Sequence, residues 1–323
     1  MALSNMVVFD DYVQRTITEV IAQQVDLFNA ASNGTITLTT QRNRGDFAHY
    51  SQFAEITGLI RRRDVYASGA VSPVALSMLQ NASVKVAAGT PPIAFNPSQF
   101  TWIQEQPEVA GVVIGEQVAI GQFQDMLNAG LKAARAAFVN VGSAAEYQIT
   151  SQGAMTLNGL NRGAQKFGDR AQNIRAWVIH STPLHDLFDQ SLTNTNRLFT
   201  FGDVRILEDG FGRRFIVTDS SSLYGAVTSP DVTDYYTLGL VENAIVVEDN
   251  GDFFSNLQTV NGDENITRSW QGEWSYNLAL KGYTWDTTAG GKSPTDAELG
   301  TGTNWDKTAT DIKNTAGVAV RSR

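Results

Sequence analysis

Any chemistry in this 323-residue chain must be assembled from few reactive side chains, since it holds three histidines and no cysteine. His180 and His185 lie five residues apart across Pro183. That is not the i, i+4 spacing that sets two imidazoles on one helical face, and a catalytic zinc site needs three protein ligands. His49 is remote in sequence. The expected roles are structural, with one histidine ending a buried strand and the other capping or packing a short helix. Gly290-Gly291-Lys292-Ser293 ends like a phosphate-binding loop, but Asp286 stands where the leading glycine belongs. The segment also follows Trp285 into polar sequence with no helix to aim amides at a phosphate. Glu248, Asn250 and Asp252 alternate like calcium ligands, yet Phe253 replaces the glycine that an EF-hand loop requires. The pairs Asp10-Asp11 and Glu208-Asp209 are ordinary at helix starts and turns and do not suggest glycosidase chemistry. Neither G-x-S-x-G nor H-E-x-x-H occurs. No catalytic, cofactor-binding or metal-binding residues are expected, and no cofactor.

The remaining charged feature is a basic segment. Arg42, Arg44, Arg61, Arg62 and Arg63 stand among Asp46, Glu55 and Asp64, a local excess of two positive charges. Residues 239–275 carry seven acids against one arginine. Complementary patches on identical copies favour ordered head-to-tail contacts, because each copy offers both halves. A solvated surface is the competing reading. The five arginines are therefore candidate inter-subunit contacts.

Composition narrows the class. Hydrophobic residues at 42% against 18% charged describe an ordered globular chain. A net charge of −9 has the wrong sign for a protein whose affinity comes from neutralising phosphates. The absence of cysteine fits a reducing cytosol. Met1 to Asp11 has no basic residue before its short apolar stretch, unlike a secretory signal. Apolar stretches such as Val109 to Ile120 fall short of the ~20 residues that span a bilayer.

The elements that would hold these residues follow from periodicity. Phe9 to Ala31 reads as an amphipathic helix stopped by Asn33-Gly34, and Thr35 to Thr39 alternates like a strand. From there to Tyr66 the chain has little apolar pattern to bury, which suggests a segment ordered by a partner. Phe100 to Ile103 reads as aromatic strand material after a Pro/Gly cluster. Pro107 opens a helix to Asn140 with Ile120, Phe123, Leu127, Leu131, Ala134 and Phe138 on one stripe. At a rise of 1.5 Å per residue it is ~50 Å long, a spine. Next come a helix over 157–171, a buried strand from Ile174 to His180, a helix from Thr182 to Leu192 with Pro183 in its first turn, and a hairpin around Glu208-Asp209-Gly210. Strands follow at 235–240, 244–248, 265–274 and 276–285. The polar stretch from Gly290 to Arg323 reads as a mobile tail.

Several runs carry a resemblance to a known family. These are Pro107-Glu108-Val109-Ala110-Gly111-Val112-Val113-Ile114-Gly115-Glu116-Gln117, Asn173-Ile174-Arg175-Ala176-Trp177-Val178-Ile179-His180-Ser181 and Pro183-Leu184-His185-Asp186-Leu187. The most specific is Trp270-Gln271-Gly272-Glu273-Trp274-Ser275-Tyr276-Asn277-Leu278 with Lys281-Gly282-Tyr283-Thr284-Trp285-Asp286. Ser293-Pro294-Thr295-Asp296 and Asn304-Trp305-Asp306-Lys307 continue it. Over essentially its whole length the chain resembles the major capsid proteins of tailed bacteriophages, whose fold is shared with encapsulins and herpesvirus shells.

The resemblance implies an α+β capsid fold. Its parts would be an N-terminal arm (1–33), an extended loop (34–72), a peripheral domain with the spine helix (73–142), an axial domain (143–234), peripheral return strands (235–289) and a C-terminal tail (290–323). It implies a non-enzymatic subunit that self-assembles into pentamers and hexamers, forming an icosahedral shell around a double-stranded DNA genome. Portal, scaffolding and decoration proteins would be partners, the packaged DNA would be contacted non-specifically, and no membrane would be involved. The protein would reside in the virion after assembly in the bacterial host cytoplasm. Some relatives lock their shells through a lysine–asparagine bond, but the extended loop here holds no lysine, and Lys85 lies just beyond it. An encapsulin-like compartment is the rival with the same fold, and an enzyme is the rival from another class.

Overall fold

The N-terminal periodicity produces a helix, α1 (Ala2–Ala31), that buries Phe9, Val13, Ile17, Ile21 and Phe28. It stops where expected, with Asn33 and Gly34 at φ of 59° and 65°, a conformation that ends helices. The last carbonyls of α1 accept from the Arg214 guanidinium, a cation at the negative end of the helix dipole. In this computed structural model the described residues are 2–53, 62–73, 78–149, 153–191, 195–201, 204–209, 214–226, 233–261 and 267–323.

Phe100 to Ile103 lies in a helix, α2 (Pro97–Glu105), and not in a strand. The reason is local. Pro97 presets the first turn, and the Gln99 side-chain oxygen accepts the Asn96 amide, satisfying a helix-start donor. The spine follows as α3 (Pro107–Val141), 35 residues long. Phe123, Leu127, Leu131, Ala134 and Phe138 are buried as the stripe requires. Gly111 and Gly115 let α1 approach closely, since a Cβ at Gly111 would lie 2.8 Å from Tyr12 Cβ and one at Gly115 would lie 2.9 Å from Thr16 Cβ. Phe28 of α1 then meets Phe123 of α3 edge to face at 5.4 Å.

Beneath these helices, the described strands form a seven-stranded sheet. Its spatial order is Ile36–Thr40, Ile245–Asp249, Thr267–Leu280, Met78–Gly89 and Phe47–Phe53, with Phe254–Val260 and Ile93–Phe95 also pairing with Thr267–Leu280. The two strands expected at 265–274 and 276–285 are one 14-residue strand plus a short one at Tyr283–Trp285. Ser275 sits inside the long strand because its Oγ and amide both bond the Asp252 carboxylate. Asp10 fixes α1 to this sheet by accepting from Trp270 Nε1 at 3.2 Å and from Ser255 Oγ.

A second sheet of eight described strands runs in the order Glu146–Gln148, Gly317–Ser322, Thr233–Leu240, Ala176–Ile179, Arg214–Val217, Val204–Asp209 and Thr195–Phe201, with Tyr224–Ala226 beside Thr233–Leu240. The helix expected over 157–171 is α4 (Leu157–Ala164) followed by a 3₁₀ segment, Gln165–Asn173, broken at Gly168, whose φ is 52°. Helix α5 (Ser181–Ser191) follows the buried Ala176–Ile179 strand.

The expectation of a mobile tail fails. The last residues form α6 (Asp296–Leu299), a hairpin of Tyr283–Trp285 with Trp305–Lys307, and the Gly317–Ser322 strand between two others of the second sheet. Trp305 packs edge to face on Trp285 at 4.9 Å, and Val318, Ala319 and Val320 are fully buried. A few large apolar anchors outweigh the polar average. The mixed helix-and-sheet class expected from the sequence is what forms.

Candidate functional site: an assembly surface

Arg42 and Arg44 lie between the Ile36–Thr40 and Phe47–Phe53 strands, and Arg62 and Arg63 begin an exposed stretch; Arg61 lies outside the described residues. All four described arginines are exposed. None makes a carboxylate pair among the described residues. The backbone around the first two is anchored. Gln41 donates to the Asp249 carbonyl at 3.0 Å and Asn43 to Asn250 Oδ1 at 2.9 Å. The loop between the strands thus presents two guanidiniums on a fixed frame. Residues 62–73 differ, with every one exposed, including Val65 at 71% and Tyr66 at 97%.

The acidic stretch is less available than its composition suggests. Glu242 pairs with Arg175 at 2.7 Å, Glu248 accepts from Tyr50 Oη at 3.2 Å, and Asp252 bonds Ser275 with Lys85 3.9 Å away. Asp249 accepts the Gly251 amide, and burial raises its pKa above the ordinary carboxylate value. Burial and the Glu248 carboxylate likewise raise the Tyr50 pKa. Asp263 and Glu264 lie outside the described residues. Glu273 is exposed without a described ion pair, so it is the described acid in this stretch best placed to meet another copy.

The chemical motifs have structural duties. His180 Nδ1 accepts the Thr182 amide at 3.2 Å and Asp219 accepts the Ser181 amide at 3.2 Å, so together they cap α5. The His180 ring sits 5.0 Å from that of Tyr235, and burial lowers its pKa while Asp219 opposes the shift. The helix expected to begin at Thr182 thus begins one residue earlier and is capped by the residue before it. His185 is exposed on α5 and His49 on the Phe47–Phe53 strand. No group of three potential metal ligands gathers among the described residues. In the glycine-lysine segment, Trp285 Nε1 donates to the Gly291 carbonyl at 3.0 Å and Lys292 pairs with Asp46 at 2.9 Å, a strap and not a phosphate cradle. Asn250 is buried, donating to Ser275 Oγ at 2.9 Å and accepting from Asn277 Nδ2 at 3.3 Å. It ties two strands together and leaves no calcium loop.

Sequence reasoning missed an apolar element of the surface. Val109, Val112 and Val113 are 52%, 38% and 40% exposed on the first turns of α3, and Trp102 of α2 is 40% exposed. Exposed apolar side chains grouped on one element mark interaction surfaces. The valines repeat at i, i+3, i+4 in phase with the Phe123 to Phe138 stripe, so periodicity alone reads them as core and carries no signal of their exposure.

A family model described as Gp13-like, major capsid protein 13-like, matches residues 5–319. No curated protein matches the chain. Among solved structures, the capsid asymmetric unit of cyanophage Pam1 is similar at a TM-score of 0.51 and 8% identity, covering 89% of this chain and 88% of that one. The capsid of Ralstonia phage GP4 gives 0.48 at 10% identity, covering 90% and 87%. A chain from Mycobacterium phage Bobi gives 0.45 at 12% identity, covering 91% and 90%. The Pam1 likeness identifies the fold as that of phage capsid proteins.

Proposed function

From the premise that this chain belongs to the Gp13-like family of major capsid proteins, we propose that it builds a tailed-phage head from pentamers and hexamers closed into an icosahedral shell. It is a capsid shell protein of a phage virion, and the observation that carries this is a family match spanning nearly the whole chain. No helix among the described residues is long and apolar enough to cross a membrane. In this reading residues 1–33 are the arm, 34–72 the extended loop, 73–142 with 235–289 the peripheral domain, 143–234 the axial domain and 290–323 the C-terminal segment. The subunit does no catalysis. It assembles in the host cytoplasm with portal, scaffolding and decoration proteins, and the finished shell touches its double-stranded DNA non-specifically.

Arg42, Arg44, Arg61, Arg62 and Arg63 contact carboxylates of a neighbouring copy. What supports this is that the four described guanidiniums are exposed without a carboxylate partner among the described residues. Each exposed pair contributes only ~0.2–1 kcal/mol, but a closed shell repeats it many times.

Sedimentation and negative-stain imaging of the chain, expressed with its scaffold and protease, test the reading. Icosahedral particles are expected. Monomers and dimers alone at high concentration would sink it, and particles loaded with a cargo enzyme in place of DNA would move the chain to the encapsulin-like reading.

A further inference from the structure

Arg135 lies in the middle of α3, where the sequence pattern marks only a break in an apolar stripe. Its guanidinium is half-buried under the second sheet. Nη1 donates to the Tyr224 carbonyl at 2.9 Å and the group sits 5.4 Å from the Tyr236 ring centre. No carboxylate pairs with it among the described residues. A buried charge ordinarily carries a partner, because desolvation costs more than one neutral hydrogen bond returns. Burial accordingly pulls its pKa below the ordinary guanidinium value, opposed only by Tyr236. The nearby cation Lys132, one turn earlier, is already committed to Asp296 at 3.4 Å.

The guanidinium opens into a cleft of about 520 Å³ between α3, Tyr236 and the loop at 300–303. Gly302 makes the cleft wall possible. A Cβ there would lie 2.7 Å from Asn140 Cβ and 2.8 Å from the Ala136 carbonyl, so another residue would push the loop off the spine. The lining offers the remaining guanidinium N–H groups, the Asn140 amide and the Thr303 hydroxyl, with no acid among the lining residues. Several donors and one cation, with no carboxylate among the described lining residues, make a site for an oxyanion with more than two oxygens.

We propose that this cleft binds a phosphate-class oxyanion, held by Arg135 with Asn140 and Thr303. The site is independent of the arginines of the extended loop and of the shell reading. Its ligand comes either from free phosphate or from a nucleic-acid backbone.

Calorimetric titration of the full chain with inorganic phosphate, beside a short DNA duplex in a second arm, tests the site. One equivalent of phosphate per chain is expected, weakened at least tenfold in Arg135→Gln and partly restored in Arg135→Lys. Asn140→Asp, which leaves Arg135 and its Tyr224 bond in place, supplies an internal counter-charge. It should abolish phosphate binding while raising the melting temperature. Arg135-dependent binding of the duplex without binding of free phosphate would assign the ligand to nucleic acid. If neither probe responds to Arg135→Gln or Asn140→Asp in folded protein, the proposal is wrong. An assembly defect in Arg135→Gln without any phosphate response would also overturn it, by assigning the cleft to a carboxylate of a second copy.

Discussion

Residues 62–73 and residues 290–323 are both poor in apolar pattern, and the molecule treats them in opposite ways. Every residue of the first stretch is exposed, and the local bond made by its side chains is Asp64 Oδ1 accepting the Tyr66 amide at 2.9 Å. The second stretch buries Leu299, Trp305 and residues 318–320 and supplies a strand to the second sheet. Its end is tied by Arg323 and Arg321 to Asp234, which is only 1% exposed. Apolar content averaged over a window does not decide order. What decides it is whether a few large side chains and a row of backbone donors find partners within the same subunit. Among the described residues the first stretch does not find them, and its Val65, Tyr66 and Val71 are exposed there.

The sharpest way to break this comparison is to end the chain before Gly317. Thr233–Leu240 and Glu146–Gln148 would both lose the strand between them. The expected loss exceeds a typical margin of ~5–15 kcal/mol, so the cooperative thermal transition by circular dichroism should vanish. A truncated chain that still melts cooperatively near the parent temperature would mean the segment is an accessory after all. Next in size is Trp305→Ala, which empties a site against Trp285 and removes the indole bond to the Leu299 carbonyl at 3.1 Å. Denaturant unfolding should show a loss of ~3–5 kcal/mol. The double change Val65→Ser and Tyr66→Ser should stay within ~0.5 kcal/mol in the same assay.

Charge reversal probes the exposed side of the comparison. Changing Arg42, Arg44, Arg62 and Arg63 to Glu should leave the far-ultraviolet spectrum and melting temperature intact while lowering particle yield. The defect should deepen at low salt, where like charges are least screened. Unaltered sedimentation profiles at two ionic strengths would reduce these arginines to solvated surface.

A pH-dependent effect is expected from a residue in neither stretch. His180 has a pKa lowered from 6.5 by burial, and its Nδ1 accepts an amide at the start of α5. The unfolded chain therefore binds this proton more readily than the folded one. Its contribution is present above pH 6.5 and lost as pH falls through the lowered folded value. His180→Gln should cost on the order of 1 kcal/mol at neutral pH and flatten the stability profile below pH 6.5. A profile in the variant as steep as the parent's would assign the titration elsewhere.

Local pattern carried much of this molecule. The repeat of Phe9, Val13, Ile17 and Phe28 and the stripe from Phe123 to Phe138 were legible because a helical face needs only periodic apolar residues, wherever its partner lies. Asn33-Gly34 marked a stop through its own backbone preferences, and the shortage of reactive side chains was a matter of composition. The family texture was legible over the whole chain. Pairing at a distance was not. Ile36–Thr40 lies parallel to Ile245–Asp249, and Gly317–Ser322 lies between strands that begin at residues 146 and 233. Nothing in the polar run from Gly290 to Thr315 announces that Trp305 will meet Trp285. The same holds for Glu242 to Asp252, whose acids read as a free negative patch while Arg175, Tyr50, Gly251 and Ser275 hold them in place. Partners drawn from opposite ends of a chain meet only once the sheets close, so the tertiary structure decided which charges are spent and which, like those of Arg62 and Arg135, have no carboxylate partner among the described residues.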